Sequence, residues 1–312
     1  MPITCRKCRS ANAEVYIPYA RLSLCPKCFL DFYVRRVKRT IEDFSMFTED
    51  LTVGVAISGG KDSAALLHAL HHAYPNLRLV ALHVNLGIPK YSAHCQGKVE
   101  ELAKMLDVEL HVFNLYKELK IRIGDFEKTI FKKKICSACG TIKRHIFEEL
   151  ARKTKVDVLA TGHNLDDVAG IMFNNFLYGH WDQLIRLKPV LPPLMEGFAV
   201  KVKPLIRISE NENLLYCLYA DVSFREIGCP YSKGTSAKKR TKDFNNLSKN
   251  NPYFRHQVLN RFLELIPMLE NIHPKTVLVK CQVCGFPSSG SICAFCKRVL
   301  LVKNTIDNDL VV

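Results

Sequence analysis

One six-residue stretch restricts what this chain can fold into: Ser58-Gly-Gly-Lys-Asp-Ser63, set between a short apolar run and an amphipathic one. Residues 51–57 (LTVGVAI) are rich in β-branched side chains and read as a buried strand. Leu66, Leu67 and Leu70 behind the stretch read as the inner face of a helix. A strand that enters a helix through two glycines is suited to hold an anion. The glycines let the backbone approach a phosphate, and the helix N-terminus offers unpaired N–H groups and a positive dipole end. Ser58 and Ser63 add hydroxyl donors and Lys61 adds charge. The spacing departs from the G-x-x-x-x-G-K-[ST] loop of other nucleotide-binding proteins. The competing reading is a plain helix-capping turn.

The same alternation continues. Residues 77–84 (LRLVALHV), 109–113 (ELHVF) and 156–161 (VDVLAT) read as strands. Residues 99–106, 141–153 and 166–177 read as helices between and after them. Alternating strands and helices predict an α/β fold, a parallel sheet covered by helices on both faces, with ligands at the C-terminal strand edges. His83 and the segment Gly162–Asp167 fall at two such edges. His83 is read as an adenosine contact or a buried structural histidine, Gly162 as permitting close approach to a nucleotide. Of Asp166 and Asp167, one is read as a helix cap and the other as holding magnesium or managing a proton. From 180 to 230, Pro189, Pro192, Pro193 and Pro204 interrupt any long element.

Thirteen cysteines need an explanation. Cys5, Cys8, Cys25 and Cys28 form one C-x2-C…C-x2-C set, and Cys281, Cys284, Cys293 and Cys296 another. Each offers the four thiolates of a structural zinc ribbon with no ligand left over, predicting two Zn2+. Cys136-Ser-Ala-Cys139 is placed just before a helix, and Cys229 lies in Gly-Cys-Pro-Tyr231. Three thiolates are incomplete for structural zinc. They suit an iron–sulfur cluster with one open iron, a redox pair that carries sulfur, or simply buried thiols. The basic run Lys132, Lys133, Lys134 is expected to favour the thiolate form. Cys95 and Cys217 are read as buried structural thiols.

Organisation follows from these pieces: an N-terminal zinc ribbon and linker helix (1–48, with the helix over 29–47), a catalytic domain (49–232), a basic helical segment (233–275) and a second ribbon (276–312). The linker helix carries Arg35, Arg36, Lys38 and Arg39, and the basic segment carries Lys238, Lys239, Arg240 and Lys242 ahead of a helix over 258–269. Both are read as nucleic acid contacts or as solvated surface. With 45 Lys+Arg against 30 Asp+Glu, the net charge of +15 favours a polyanionic partner, foremost nucleic acid. No stretch is apolar enough for a membrane span and no signal core opens the chain, so a cytoplasmic protein is expected.

Taken in order, N-terminal CxxC…CxxC, SGGKDS, mid-chain CxxC, GHNLDD, GCPY and C-terminal CxxC…CxxC resemble the tRNA 2-thiouridine synthetase family of TtuA type, over about residues 3–300. SGGKDS looks like the PP-loop of the ATP pyrophosphatase superfamily, whose fold is adenine nucleotide α-hydrolase-like. The resemblance implies an enzyme that adenylates a uridine of tRNA, releasing pyrophosphate, and then replaces oxygen by sulfur. It implies ATP and Mg2+ held by Ala56, Ser58, Gly59, Gly60, Lys61, Asp62, Ser63, His83, Lys143, Gly162 and Asp167. It places a [4Fe-4S] cluster on Cys136, Cys139 and Cys229, with Lys143 and Asp167 as catalytic residues. The implied substrate position is uridine 54 of the T-loop, and the implied sulfur donor a ubiquitin-like carrier protein ending in a thiocarboxylate. A homodimer is an arrangement it allows. TtcA enzymes lack the paired ribbons, whereas wobble-uridine thiolases remain an alternative, as do persulfide transfer without a cluster and a non-catalytic zinc-ribbon RNA-binding protein.

Overall fold

The computed structural model describes residues 3–232, 244–273 and 277–309. The cluster Lys238, Lys239, Arg240 and Lys242 lies outside them.

The N-terminal ribbon is a hairpin, β1 (Val15–Ile17) and β2 (Leu22–Leu24), leading into α1 (Pro26–Asp43). This helix begins inside the second CxxC, three residues earlier than predicted, because Pro26 fits a helix's first position. Phe29, Tyr33, Val37 and Ile41 are buried on one face, as their spacing predicted. Arg36 is no free contact residue. It pairs with Glu212 and lies over the Tyr19 ring, so part of the expected basic face is structural.

Then come β3 (Val53–Ile57), α2 (Lys61–Ala73), β4 (Leu79–Asn85), α3 (Tyr91–Met105), β5 (Glu109–Asn114), α4 (Leu115–Leu119), α5 (Ile135–Lys153), β6 (Val158–Thr161), α6 (Leu165–Leu177) and α7 (Trp181–Ile185). Next are β7 (Val190–Leu191), β8 (Val200–Val202), α8 (Glu210–Tyr219), α9 (Phe254–Ile272), a hairpin of β9 (Val279–Lys280) and β10 (Pro287–Ser288), and α10 (Ala294–Asp309).

Six strands form one sheet in the order β5-β4-β3-β6-β8-β7, parallel except for the antiparallel edge strand β7. The chain winds outward from β3 through β4 to β5, then returns to lay β6 on the other side of β3. That reversal is a topological switch point, where the strand ends part to leave a crevice. Alternate residues feed opposite faces. Val53, Val55 and Ile57 join a core with the first ribbon, α1, α2 and α8, while Val80, Leu82 and Val84 join a core with α5 and the second ribbon. A third core joins α6, α7 and α9.

Candidate active site

Both the Ser58–Ser63 loop after β3 and the segment Gly162–Asn164 after β6 open into the switch-point crevice. Gly59 takes φ +78°, and a Cβ there would lie 2.8 Å from the Cys95 carbonyl oxygen, so no other residue fits. Gly60 caps α2. Ser63 is buried, and its hydroxyl holds the loop shut: it accepts from Ser58 N (3.0 Å) and donates to the Gly60 carbonyl (3.1 Å). Its hydroxyl is thus engaged within the loop. Gly162 lies against the end of the loop. A Cβ there would meet Ser63 N at 2.9 Å, so this glycine lets β6 press against the start of α2.

Lys61 is not a free cation. Its Nζ donates to Glu210 (2.7 Å) and Asp62 (3.2 Å). Burial works against its charge, yet these two carboxylates outweigh burial and raise its pKa. Asp62 in turn accepts from Asn213 Nδ2 (2.8 Å) and Asn164 Nδ2 (3.1 Å), which fix its Oδ1. Of the two aspartates that open α6, Asp166 accepts from Glu210 N (2.7 Å) and pairs with Arg255 (2.8 Å). Asp167 closes a capping box with Asn164. The cap therefore falls on Asp167, the residue with an expected catalytic role.

Asp167 keeps a solvent-open side chain in the crevice. Desolvation by the surrounding walls, then the nearby Asp62 charge and those of Glu210 and Asp166, push its pKa up to about 6, against the backbone hydrogen bond at Asn164. An unfolded aspartate titrates near ~3.9. The folded chain thus holds this proton more tightly. The contribution to stability is complete below the unfolded value and is lost as pH rises through the folded one. In Asp167→Asn the nucleotide-free protein should gain thermal stability over wild type at pH 7.5 but not at pH 4. Melting curves across that range check it; a pH-independent difference would remove Asp167 from the carboxylate group.

His83 is buried, with Nδ1 facing the Ile57 carbonyl oxygen at 2.9 Å and Nε2 buried without a hydrogen-bond partner among the described residues. Burial lowers its pKa, so the imidazole is neutral and Nε2 is an unmet acceptor. His163 at the end of β6 is exposed, and its pKa is pushed down to about 4, first by desolvation from the surrounding walls and then by Lys203, Lys143 and Arg144, with Asp62 opposing.

The three isolated cysteines come to the same crevice. Cys136 and Cys139 lie within α5, not before it, one turn apart on one face, and Lys143 follows a turn later. The helix starts earlier than expected because the preceding Lys132–Lys134 is itself a 3-10 turn that feeds α5. Cys136 Sγ donates to the Tyr231 carbonyl (3.3 Å), which ties the helix to the segment carrying Cys229. Cys139 and Cys229 pack against the same apolar cluster. Burial raises the Cys139 pKa, Cys229 and Cys136 add to the rise, and Lys143 and Arg144 oppose it. The counterweight is therefore Lys143 and Arg144, not the expected Lys132–Lys134 run. Cys95 and Cys217 are buried as expected, but both touch the loop: Cys95 through its backbone under Gly59, Cys217 through its Sγ, which donates to the Lys61 carbonyl (3.4 Å).

Four sulfurs around one zinc stand roughly 3.8 Å apart when each is ~2.3 Å from the ion. The sets Cys5, Cys8, Cys25, Cys28 and Cys281, Cys284, Cys293, Cys296 each gather within 4.8 Å, with Cys8 to Cys25 at 3.9 Å and Cys284 to Cys293 at 3.7 Å. Both sets fit a tetrahedral ion. Among the described residues, Cys136, Cys139 and Cys229 do not form such a compact set.

Comparison with known proteins matches residues 32–226 to the PP-loop domain and residues 4–30 to the N-terminal LIM domain of the 2-thiouridine synthetase TtuA. A tRNA-5-methyluridine(54) 2-sulfurtransferase of Pyrococcus horikoshii is 34% identical over 294 residues, 93% of this chain and 93% of that one. The chain belongs to the TtuA-type family of tRNA 2-thiolation enzymes. A TtuA-type relative of the same name from Thermus thermophilus is 34% identical, covering 95% of this chain and 90% of its own. The solved structure of the U34-tRNA thiolase NcsA from Methanococcus maripaludis with its [4Fe-4S] cluster aligns at a TM-score of 0.80 and 27% identity, covering 96% of each chain.

In TtuA-type terms, sequence reasoning overlooked three residues of this site. Asn164 and Asn213 orient Asp62, and Arg225 stands over the loop, its backbone N donating to the Gly59 carbonyl (2.7 Å). The S-x-x-E capping box at Ser209 and Glu212 would have revealed α8, and with it Asn213. No local pattern marks Arg225.

Proposed function

We propose that this chain uses ATP to adenylate the C2 oxygen of uridine 54 in tRNA and then installs sulfur at C2. The observation that carries the reading is the meeting, in one switch-point crevice, of an anion-cradling loop and three cysteines apart from both ribbons. The C2 oxygen attacks the α-phosphorus of ATP, and pyrophosphate leaves with the electron pair of the broken P–O bond. AMP is then a far better leaving group than oxide when sulfur adds at C2. The N-terminus of α2 and the glycine backbone hold phosphate, and the cations whose charges act on His163 stabilise charge that develops there. Lys143 lies one turn from Cys139 on α5, and its charge also acts on His163.

Mg2+ would be held at the crevice edge by Asp167, whose neighbours Asp62, Glu210 and Asp166 are already paired with Lys61 and Arg255. Cys136, Cys139 and Cys229 would hold a [4Fe-4S] cluster. With three protein thiolates, such a cluster offers one iron a free coordination position for sulfur. The ribbons would take one Zn2+ each. Position 54 is supported by the 34% identity to relatives named for it, against 27–28% for relatives named NcsA. A thiocarboxylate carrier protein as sulfur source, tRNA contact by 233–275, a homodimer and a cytoplasmic setting complete the proposal. No described helix is long and apolar enough to cross a membrane, and free thiolates suit a reducing compartment.

Lys61→Ala and Asp62→Ala should abolish tRNA-dependent pyrophosphate release while leaving iron content unchanged. Undiminished release from Asp62→Ala would contradict the loop's role. Nuclease fragments of treated tRNA, weighed by mass spectrometry, should carry the new sulfur in the T-loop; sulfur in the anticodon fragment would assign the chain to the wobble branch.

A further inference from the structure

Arg225 stands at the loop with no carboxylate partner among the described residues. Its guanidinium lies against Gly60: a Cβ built there would stand 3.4 Å from Nη2 and 3.5 Å from Nε. The side chain reaches this place across the Tyr91 ring, 5.3 Å from its centroid. Of its five N–H donors, one set is engaged, Nη1 to the Ile227 carbonyl at 2.8 Å. Nε is buried with no partner, and no carboxylate pairs with the group among the described residues. Lys61 is the opposite case, since Asp62 and Glu210 both hold it.

A partly desolvated guanidinium with unmet donors is costly unless an anion completes it. Its fork matches two phosphate oxygens, which Lys61 in its present pairing cannot do. Moreover, Gly60 is the N-cap of α2, so the guanidinium stands beside the end of the helix that carries its unpaired N–H groups. We propose that Arg225 binds the pyrophosphate portion of ATP on the loop and stabilises it as it leaves. The inference rests on reading the loop as an ATP cradle. It assigns the leaving-group charge to an arginine far along the chain from the motif, four residues before Cys229.

The test is calorimetric titration of wild type, Arg225→Ala and Arg225→Lys with ATP, inorganic pyrophosphate and AMP, alongside melting temperature and iron content. Loss of a charge-assisted phosphate contact should weaken pyrophosphate and ATP by about tenfold or more in Arg225→Ala. AMP, which lacks the leaving group, should bind as in wild type, and Arg225→Lys should recover part of the loss. Unchanged pyrophosphate affinity in both variants overturns the proposal. Equal weakening of AMP and pyrophosphate also overturns it, because Arg225 would then only support the loop through Gly59 and Ile227. Should wild type bind neither ATP nor pyrophosphate, the reading of the loop itself fails.

Discussion

Single replacement of Cys136, Cys139 or Cys229 by serine should reduce reconstituted iron and labile sulfide and take tRNA thiolation to background. Pyrophosphate release should persist, because none of the three supports the loop. Cys136 and Cys139 share one face of α5, and the Cys136 bond to Tyr231 holds the Cys229 segment against it. Removing one thiolate leaves two, fewer than a cluster's normal complement by half. Burial and the neighbouring sulfurs keep Cys139 protonated in the metal-free chain. Loading must release that proton, so it should weaken as pH falls. Cys95→Ala and Cys217→Ala serve as controls for iron loading. They are poorer controls for thiolation than burial alone suggested, since both touch the loop. If iron-free protein thiolates tRNA as fast as the reconstituted form, the three cysteines act through persulfide and disulfide chemistry instead.

The central sheet was legible because β3, β4 and β6 are largely apolar runs ended by glycine or polar turns, as a parallel sheet buried on both faces demands, while β5 is a partly exposed edge strand. Its fifth parallel strand was not legible. Val200–Val202 is three residues long and follows the prolines at 189, 192 and 193, so no period is established. Cysteine spacing located both four-cysteine sets because each cysteine lies in a local CxxC pair. The reach of the phosphate loop was legible, but the division of labour in it was not. Sequence shows that Lys61 and Ser63 carry the right chemistry. It does not show that Glu210 occupies the first and the loop's own backbone the second. The competition for Ser63 depends on the closure of the loop, whereas that for Lys61 is a tertiary property, set by elements more than a hundred residues apart in the chain. Arg225 was invisible for the same reason.

Disruption of the two four-cysteine sets, each proposed to hold zinc, should damage different halves of the proposed reaction. Cys5, Cys25 and Cys28 are buried in the core that also holds Val55, Ile57 and Leu66, behind the loop. From the helix that follows, Tyr33 stacks on Tyr216 (4.0 Å between centroids) and donates to Asn213 (2.6 Å), whose Nδ2 holds Asp62. A buried polar chain thus runs from the first ribbon's helix to the phosphate loop. Behind α5 stands the other ribbon. Cys281, Cys293 and Cys296 share a core with Ile142 and Ile146, and His145 lies against Phe295 (3.7 Å) and Phe286 (4.0 Å). Structural zinc contributes on the order of 10 kcal/mol to the folding of small isolated ribbons, comparable with the whole stability of a domain. Cys5→Ser should therefore loosen its module, lower zinc to one ion per chain and impair ATP-dependent pyrophosphate release, with iron loading largely kept. Cys281→Ser should do the reverse, impairing iron loading while pyrophosphate release persists. Metal analysis with amide hydrogen exchange over 26–43 and 135–153 would separate the two. Identical losses of both activities in both variants would show that the ribbons stabilise the whole fold without dividing their support between the ATP and sulfur sites.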